Sequence, residues 1–423
     1  MKFAIVGSGI SGLSIATILS QDHEVVLYEK EDRYGGHSNT VEINYNNEII
    51  NVDTGFIVFN KLNYPNLIKF FKYFSVKYED SDMSLSIKHQ ALDLEWSGQN
   101  LKTIFSKKKL LKKISFISSI IQILIFNFHI KYLINYKSLG EVSLREWLEN
   151  KPYTKGFLEL YLLPMAGAIW SMPPEDVMNY PITSLFNFFN NHKLLHSKND
   201  RPQWLTVSKG SINYVNKIIR FLGANPRVET YKDTQILKIK RSENTILIED
   251  SNNNQNKFDH IIFSTNPTKT LEILEDVDEK EKNILDKFST NTNLAYLHND
   301  ETLMPKLKKV WSSWNVVVPE KKLKNISVTY WMNKLQNIKN SKPLFLSLNP
   351  IMPPKENSIF KVIEYEHPIF DIKAINSKKL LKNIQGYRNT WHCGAWSGNG
   401  FHEDGITSSV NLAKEFDAKV LWE

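Results

Sequence analysis

The run Gly7-Ser8-Gly9-Ile10-Ser11-Gly12 constrains this chain more than any other feature. It follows a short apolar stretch, Phe3-Ala4-Ile5-Val6, and opens a helical one that begins at Leu13. A second strand-like run, Glu24-Val25-Val26-Leu27-Tyr28-Glu29, comes next. Strand, glycine turn, helix and strand in this order predict the βαβ unit of a parallel sheet. Gly7 permits the tight turn, Gly9 lets backbone approach a pyrophosphate, and Gly12 lets helix and strand pack closely. Ser8, Ile10 and Ser11 complete a binding turn at a helix N-terminus, whose free N–H groups and positive dipole end favour an anion. Glu29 closes the second strand. A carboxylate there accepts hydrogen bonds from both ribose hydroxyls and repels a 2′-phosphate, which argues against NADP. No second glycine hexad occurs, so a separate nicotinamide domain is not expected.

With 423 residues, 42% of them hydrophobic, the chain is long enough for two compact units with substantial cores. The net charge of +8 suits an anionic membrane or a nucleic acid. It is equally what an AT-biased coding sequence rich in Lys, Asn and Ile produces. No arginine-rich stretch or zinc-knuckle spacing supports a nucleic-acid partner, and none is expected. Cys393 is the single cysteine, which excludes an internal disulfide and a cysteine-based metal cluster. His192 and His196 have a metal-like spacing but no third ligand, so no metal site is expected. The first strand starts at Phe3, so a cleaved leader would remove working parts and a cytoplasmic location is expected.

Further along, 64–73, 107–136 and 143–149 read as helices. Strands are expected at 235–239, 245–248 and 260–263, with 252–256 as a hairpin tip. More strands are expected at 310–318, 326–332 and 344–348, and 405–419 reads as a closing helix.

The segment Glu29-Lys30-Glu31-Asp32-Arg33-Tyr34-Gly35-Gly36-His37-Ser38 resembles the extended signature of the flavin-containing amine oxidase superfamily, with its monoamine oxidases, protoporphyrinogen oxidases and phytoene-type desaturases. Phe258 to Pro267, after the strand that begins at Ile236, resembles that superfamily's middle return to the nucleotide domain. Cys393-Gly394-Ala395-Trp396 through His402-Glu403-Asp404-Gly405-Ile406 resembles its C-terminal flavin motif. The resemblance implies non-covalently bound FAD. Arg33 would offer a charged fork to phosphate oxygens, with Lys30 beside it, while Gly35 and Gly36 let backbone pass close to a flat ring. His37, Ser38, Thr54, Gly55 and Phe56 would follow the flavin, and Ile236 and Thr265 would lie toward the adenine. Gly394, Ala395, Asp404, Gly405 and Ile406 would meet the flavin from the C-terminal side. Ala395 departs from the pattern, which often has an acid there for a ribityl hydroxyl.

The resemblance narrows through 51–60, Leu162-Leu163-Pro164-Met165, Arg201-Pro202-Gln203-Trp204, Trp311 to Asn315, 329–333 and 400–405. These are similar to a bacterial branch of NAD/FAD-binding oxidoreductases that is itself similar to the domain fused ahead of cyclopropane-fatty-acid synthase in plants. That similarity implies an α/β fold: a discontinuous Rossmann-like FAD domain (1–62, 205–266, 386–423) and a substrate domain of mixed sheet and helices (63–204, 267–385). The implied activity is oxidation or desaturation of a fatty acyl or phospholipid chain, with flavin N5 as hydride acceptor in a mostly apolar pocket. Alternatives are oxidation of a small amine with peroxide release, a non-catalytic FAD-binding partner of a lipid methyltransferase, and an NAD-dependent dehydrogenase.

His402, Glu403 and Asp404 are the candidate acids and bases, standing just before the closing helix. Asp404 can equally cap that helix. Covalent flavin attachment at Cys393 or His37 is a minor alternative. Lys107-Lys108-Lys109 and Lys112-Lys113 precede Ile114 to Ile130, which carries no charged residue. Ser115, Ser118, Ser119, Gln122 and His129 would form a narrow polar stripe there. Two readings stay open: a buried helix with a solvated start, or peripheral contact of 107–130 with the inner face of a membrane.

Overall fold

The computed structural model describes residues 1–136, 140, 142–170, 172–196, 200–243, 245–320, 327–340 and 342–423. Strand Lys2–Val6 lies at the centre of a five-stranded sheet in the order Val228–Tyr231, Glu24–Tyr28, Lys2–Val6, His260–Phe263, Thr390–His392. Every neighbouring pair is parallel. Phe3 to Val6 are all buried, the near-continuous apolar run of a strand covered on both faces. Phe3 and Ile5 point to one side, into a cluster with Leu13, Ile406 and Val410. Ala4 and Val6 point to the other, where Ile239, Ile248 and Phe258 of a small antiparallel meander cover them. The sheet thus gathers strands from three distant stretches of the chain.

Helix Ile10–Leu19 is buried along its whole length, between the sheet and helix His402–Ala413. That explains its lack of a polar face. Its hydroxyls turn back onto its own carbonyls: Thr17 Oγ1 donates to Leu13 O at 2.7 Å and Ser20 Oγ to Thr17 O at 3.0 Å.

A second, seven-stranded sheet draws on both intervening segments. Its order is Ile359–Pro368, Thr290–His298, Phe345–Leu348, Ser327–Trp331, Trp314–Val318, Leu85–His89, Leu94–Ser97. Only the pairing of Trp314–Val318 with Leu85–His89 is parallel. The helices between 101 and 191 pack with this sheet into the largest apolar core.

Several elements differ from the sequence reading. The expected strand 310–318 begins at Trp314, because Asn315 folds back on Ser312: its Oδ1 accepts from Ser312 N at 2.9 Å and its Nδ2 donates to Ser312 O at 2.6 Å. The expected hairpin tip is shorter, since Gln255 and Asn256 already belong to a strand. The closing helix starts at His402 and ends at Ala413. The stretch 107–136 divides at Lys113 into a 3₁₀ turn, Lys108–Lys112, and helix Ile114–Tyr136. This helix is not buried as a whole. Phe116, Phe126 and Ile130 face inward. Its polar stripe docks onto the neighbouring segment rather than facing water: Gln122 Oε1 accepts from Thr154 N at 2.8 Å, and His129 Nδ1 lies 3.0 Å from Tyr153 Oη. The apolar side faces out.

The meander is tied to the rest by a buried ion network. Arg241, whose side chain is fully buried, bonds Glu281 through Nη1 at 2.5 Å and Nη2 at 2.7 Å, and Asp276 through Nε at 2.9 Å. Nη1 also reaches Thr390 Oγ1 on the edge strand, at 3.1 Å. Removing one member leaves uncompensated buried charge, so Arg241→Ala is expected to lower stability in urea unfolding by roughly 3–5 kcal/mol. A loss under about 1 kcal/mol would show that the network is not a structural tie.

Candidate nucleotide and active site

The glycine turn is packed from beneath and open above. A Cβ on Gly12 would lie 1.9 Å from Gly7 O, and one on Gly7, where φ is +96°, would press on Thr265 Cγ2 at 3.0 Å. A Cβ on Gly9 meets nothing within 4 Å. Gly9 is also the N-cap of helix Ile10–Leu19, with no side chain capping it. The space over Gly9 is therefore where an anion reaches the unpaired N–H groups of the first turn.

Around this turn the expected nucleotide residues assemble. Glu29 is buried, and its Oε2 accepts from Ser8 N at 3.0 Å and Ser8 Oγ at 2.6 Å, while Oε1 accepts from Glu31 N at 3.1 Å. A carboxylate has about four acceptor sites, so it retains capacity for a ribose hydroxyl. Thr234 N donates to Glu29 O at 2.9 Å, which brings the strand starting at Ile236 beside the acid. Thr265 Oγ1 is buried and has no hydrogen-bond partner among the described residues. Arg33 forms no ion pair with Glu31 or Asp32. Its Nη1 donates to Gly36 O at 2.8 Å, so the guanidinium turns toward the glycine pair. Lys30 pairs with Glu31 at 3.4 Å in solvent, away from the turn.

Gly36 has φ +56°, and a Cβ there would sit 3.0 Å from Gly9 Cα, so the glycine pair lies directly on the first turn. The 53–56 segment runs against it: Phe56 N donates to His37 O at 2.7 Å and Thr54 N to Asn39 O at 2.9 Å. A Cβ on Gly55 would come within 2.2 Å of that His37 oxygen. Asp53 anchors the segment by accepting from Ser211 N at 2.9 Å and Ser211 Oγ at 2.8 Å.

At the C-terminal side, a Cβ on Gly405 would strike Ile10 Cγ2 and Ser11 Oγ, both at 2.8 Å, and Ser409 Oγ donates to Ser11 O at 2.8 Å. The N-terminus of helix His402–Ala413 thus abuts the glycine turn. Ile406 is fully buried at this contact. Gly394 N donates outward to Ser408 Oγ at 2.9 Å, and Ala395 opens the turn that follows. The Cys393 thiol lies in the core beside Ser409, and burial pushes it up to about 12, far from a reactive thiolate.

The three candidate acids and bases belong to the first turn of this helix, not to the loop before it, and their roles separate. Glu403 caps another helix: Oε1 accepts from Asn66 N at 3.0 Å and Oε2 from Leu67 N at 3.0 Å, at the start of helix Pro65–Tyr73. Asp404 reaches back to Phe401 N at 2.9 Å and caps its own helix. His402 is different. Its ring stacks on Phe56 with centroids 3.6 Å apart, and Nε2 lies 2.9 Å from Ser38 Oγ and 3.2 Å from Tyr214 Oη.

Sequence reasoning missed Tyr214, Tyr365 and His367. Residues 365 and 367 alternate onto one face of an edge strand and bring the second sheet to the nucleotide loops. Tyr365 Oη bonds Thr54 Oγ1 at 2.7 Å and Asn39 Nδ2 at 2.9 Å. The His37 ring stacks on Tyr365 at 5.3 Å and lies 5.5 Å from that of His367. Burial, reinforced for His37 by Arg33 and for His367 by His37, lowers these imidazoles to about 4 and about 3. Burial likewise holds His402 well below its usual range. The shifts favour the neutral forms, and all three rings make stacking or hydrogen-bonding contacts. His37 nevertheless keeps accessible surface, so it fronts an interior space.

A hollow of about 310 Å³ lies at the head of the closing helix, between Asn63, Asn187, Phe188, Asn399, Phe401 and Asp404. Its lining is largely polar. His192 stacks on Phe188 at 3.8 Å, and its Nδ1 lies 3.1 Å from Phe188 O, as a packed side chain. No cluster suited to a metal ion occurs among the described residues.

Residues 5–74 match the family described as an NAD(P)-binding Rossmann-like domain. No curated protein matches the sequence. Among solved structures, an Exiguobacterium protein with a provisional protoporphyrinogen oxidase assignment superposes with a TM-score of 0.70 at 12% identity, covering 98% of both chains. Cyclohexylamine oxidase from Brevibacterium oxydans gives 0.65 at 13% identity, over 98% of this chain and 99% of that one. A conjugated-linoleic-acid-producing fatty acid isomerase from P. acnes gives 0.64 at 15% identity over 98% of each.

Glu403→Ala is expected to lower stability by about 1–2 kcal/mol through loss of the cap, with FAD affinity unchanged. A stable variant that fails to bind FAD would place Glu403 at the nucleotide instead. Extending over nearly the full length of these structures, the chain shares their fold, with an NAD(P)-binding Rossmann-like unit over residues 5–74.

Proposed function

We propose that this protein is an FAD-dependent oxidoreductase. One observation carries the reading: the glycine pair and the head of the closing helix both abut the glycine turn, the 53–56 segment runs against the pair, and a Cβ on Gly9 would still meet nothing within 4 Å. When bound, FAD supplies a two-electron acceptor for a substrate C–H bond. The protein's own residues perform the rest. The N–H groups at the start of helix Ile10–Leu19 and the Arg33 guanidinium hold the pyrophosphate, and Glu29 holds the adenosine ribose. The N-terminus of helix His402–Ala413 sets a positive dipole end against negative charge that develops on the ring system. His402, stacked on Phe56, presents Nε2 to the hydroxyls of Ser38 and Tyr214 and would orient them at the site.

Gly9 and Gly12 give a clean test. Gly9→Val has room, so it is expected to fold with stability within about 1 kcal/mol of the parent and to lose FAD affinity by about a hundredfold. Gly12→Val, driven into Gly7 O, is expected not to fold. Gly9→Val that binds FAD like the parent in a fluorescence titration would remove the pyrophosphate from this turn.

For the substrate we infer a fatty acyl or phospholipid chain, oxidised or desaturated. The structural likeness to a fatty acid isomerase and the outward apolar face of helix Ile114–Tyr136 support this. A small amine is the second reading. It is favoured by the likeness to cyclohexylamine oxidase, by the polar hollow, and by the nearly parallel Tyr365 and His367 rings, with planes 4° apart. Anaerobic mixing separates the two. The acyl reading predicts bleaching of the flavin band by unsaturated phospholipids or fatty acids and not by polyamines or cycloalkylamines. Bleaching by amines alone would overturn it.

A further inference from the structure

Helix Ile114–Tyr136 presents its apolar side to solvent. At 3.6 residues per turn, Ile114, Ile121, Leu124, Ile125 and Phe128 fall within about 100° of one another around the axis. All are exposed: Ile114 by 83%, Leu124 by 67% and Phe128 by 76%. A surface helix ordinarily carries its charges on that side. This one has a single charged residue, Lys131, along its whole length. Its opposite side is fixed in the fold, with Phe126 packed on Phe157 and Phe186. The helix therefore lies along the molecule and cannot pass through a bilayer while the fold is intact, although its length and composition would allow it.

The end of this face is basic. Lys107, Lys108, Lys112 and Lys113 surround Leu111, itself 55% exposed, just before the helix begins. Lys107 pairs with Asp93 at 3.0 Å. Lys108, Lys112 and Lys113 have no carboxylate partner among the described residues.

We propose that this face docks the protein onto an anionic phospholipid surface, with the lysines at the headgroups and the Ile, Leu and Phe side chains among the acyl chains. The charge pattern selects this occupant. An apolar strip ending in unpaired ammonium groups needs a partner that is apolar within and acidic at its boundary, which describes an anionic bilayer. A second copy of this chain, at net charge +8, would bring its own basic segment to the contact. The docking does not rest on the flavin reading. It does have a consequence for the site: Phe126 packs on Phe186 of helix Ile182–Asn191, and that helix lines the hollow through Ser184, Asn187 and Phe188. In a docked molecule two helices, Ile114–Tyr136 and Ile182–Asn191, separate that hollow from the bilayer.

Flotation of the full-length protein with vesicles tests this, using phosphatidylcholine alone and phosphatidylcholine mixed with phosphatidylglycerol. The wild type is expected to float with the mixed vesicles, to float much less with the neutral ones, and to be released by added salt. Leu124→Asn with Phe128→Asn, and separately Lys108→Glu with Lys112→Glu, are each expected to cut the bound fraction about fivefold or more. Both pairs are exposed, so far-UV circular dichroism should stay unchanged. Absence of flotation, equal flotation with both vesicle types, or insensitivity to either pair of substitutions would overturn the proposal. So would a dimer in light scattering that the Leu124 and Phe128 substitutions dissolve, which would assign the face to a second copy.

Discussion

Backbone meeting backbone at distances that exclude a Cβ is the constraint on which the nucleotide end of this molecule depends. Gly12 lies against Gly7, Gly36 against Gly9 and Gly55 against the His37 carbonyl, and Gly405 is held as closely by the side chains of Ile10 and Ser11. The last three contacts join segments that the sheet alone would leave apart, while a Cβ on Gly9 meets nothing within 4 Å. The parallel sheet makes this possible by gathering strands from residues 2–28, 228–263 and 390–392 with their carboxyl ends on one side. Ligands of open α/β sheets bind outside that edge.

The second sheet completes the site instead of merely covering it. Its edge strand carries Tyr365 and His367 to the loops that hold His37 and Thr54, so the aromatic wall belongs to both units. Burial shifts the imidazoles there toward their neutral forms, and the positive groups nearby include Arg33, the helix termini and Lys378, whose Nζ donates to Gly398 O and faces Asp404. The polar hollow beyond Phe401 and the apolar face of helix Ile114–Tyr136 pull the substrate reading in different directions. The packing of that helix on Ile182–Asn191 connects them physically.

The βαβ unit was legible because its determinants are local: a run of apolar residues, glycines at fixed spacing, and an acid at a strand end. Arg33 and the glycine pair were legible for the same reason, although the partner of Arg33 was not. The start of the closing helix was misplaced because Gly398 and Gly400 suggest loop up to Gly405. The cap that starts the helix at His402 is Asp404 reaching back to Phe401, a local signal hidden among three titratable residues. Glu403 could not be recognised as a cap, since the helix it caps lies more than 300 residues away in sequence. Tyr214, Tyr365 and His367 were invisible for the same reason: nothing local reveals which sheet edge meets which loop. The outward apolar face of helix Ile114–Tyr136 inverts the usual pattern, and the packing of Gln122 and His129 on 153–154 and of Phe126 on Phe157 and Phe186 shows which side is inside.

The central claim is that one FAD lies across the converging glycine segments. The direct measurement is the visible spectrum of the purified protein, together with the nucleotide released on heat denaturation. The account predicts a bound flavin band and close to one equivalent of FAD per chain, released without proteolysis. Folded protein that is colourless and stays so when FAD is supplied, or that releases a nicotinamide dinucleotide instead, would contradict it.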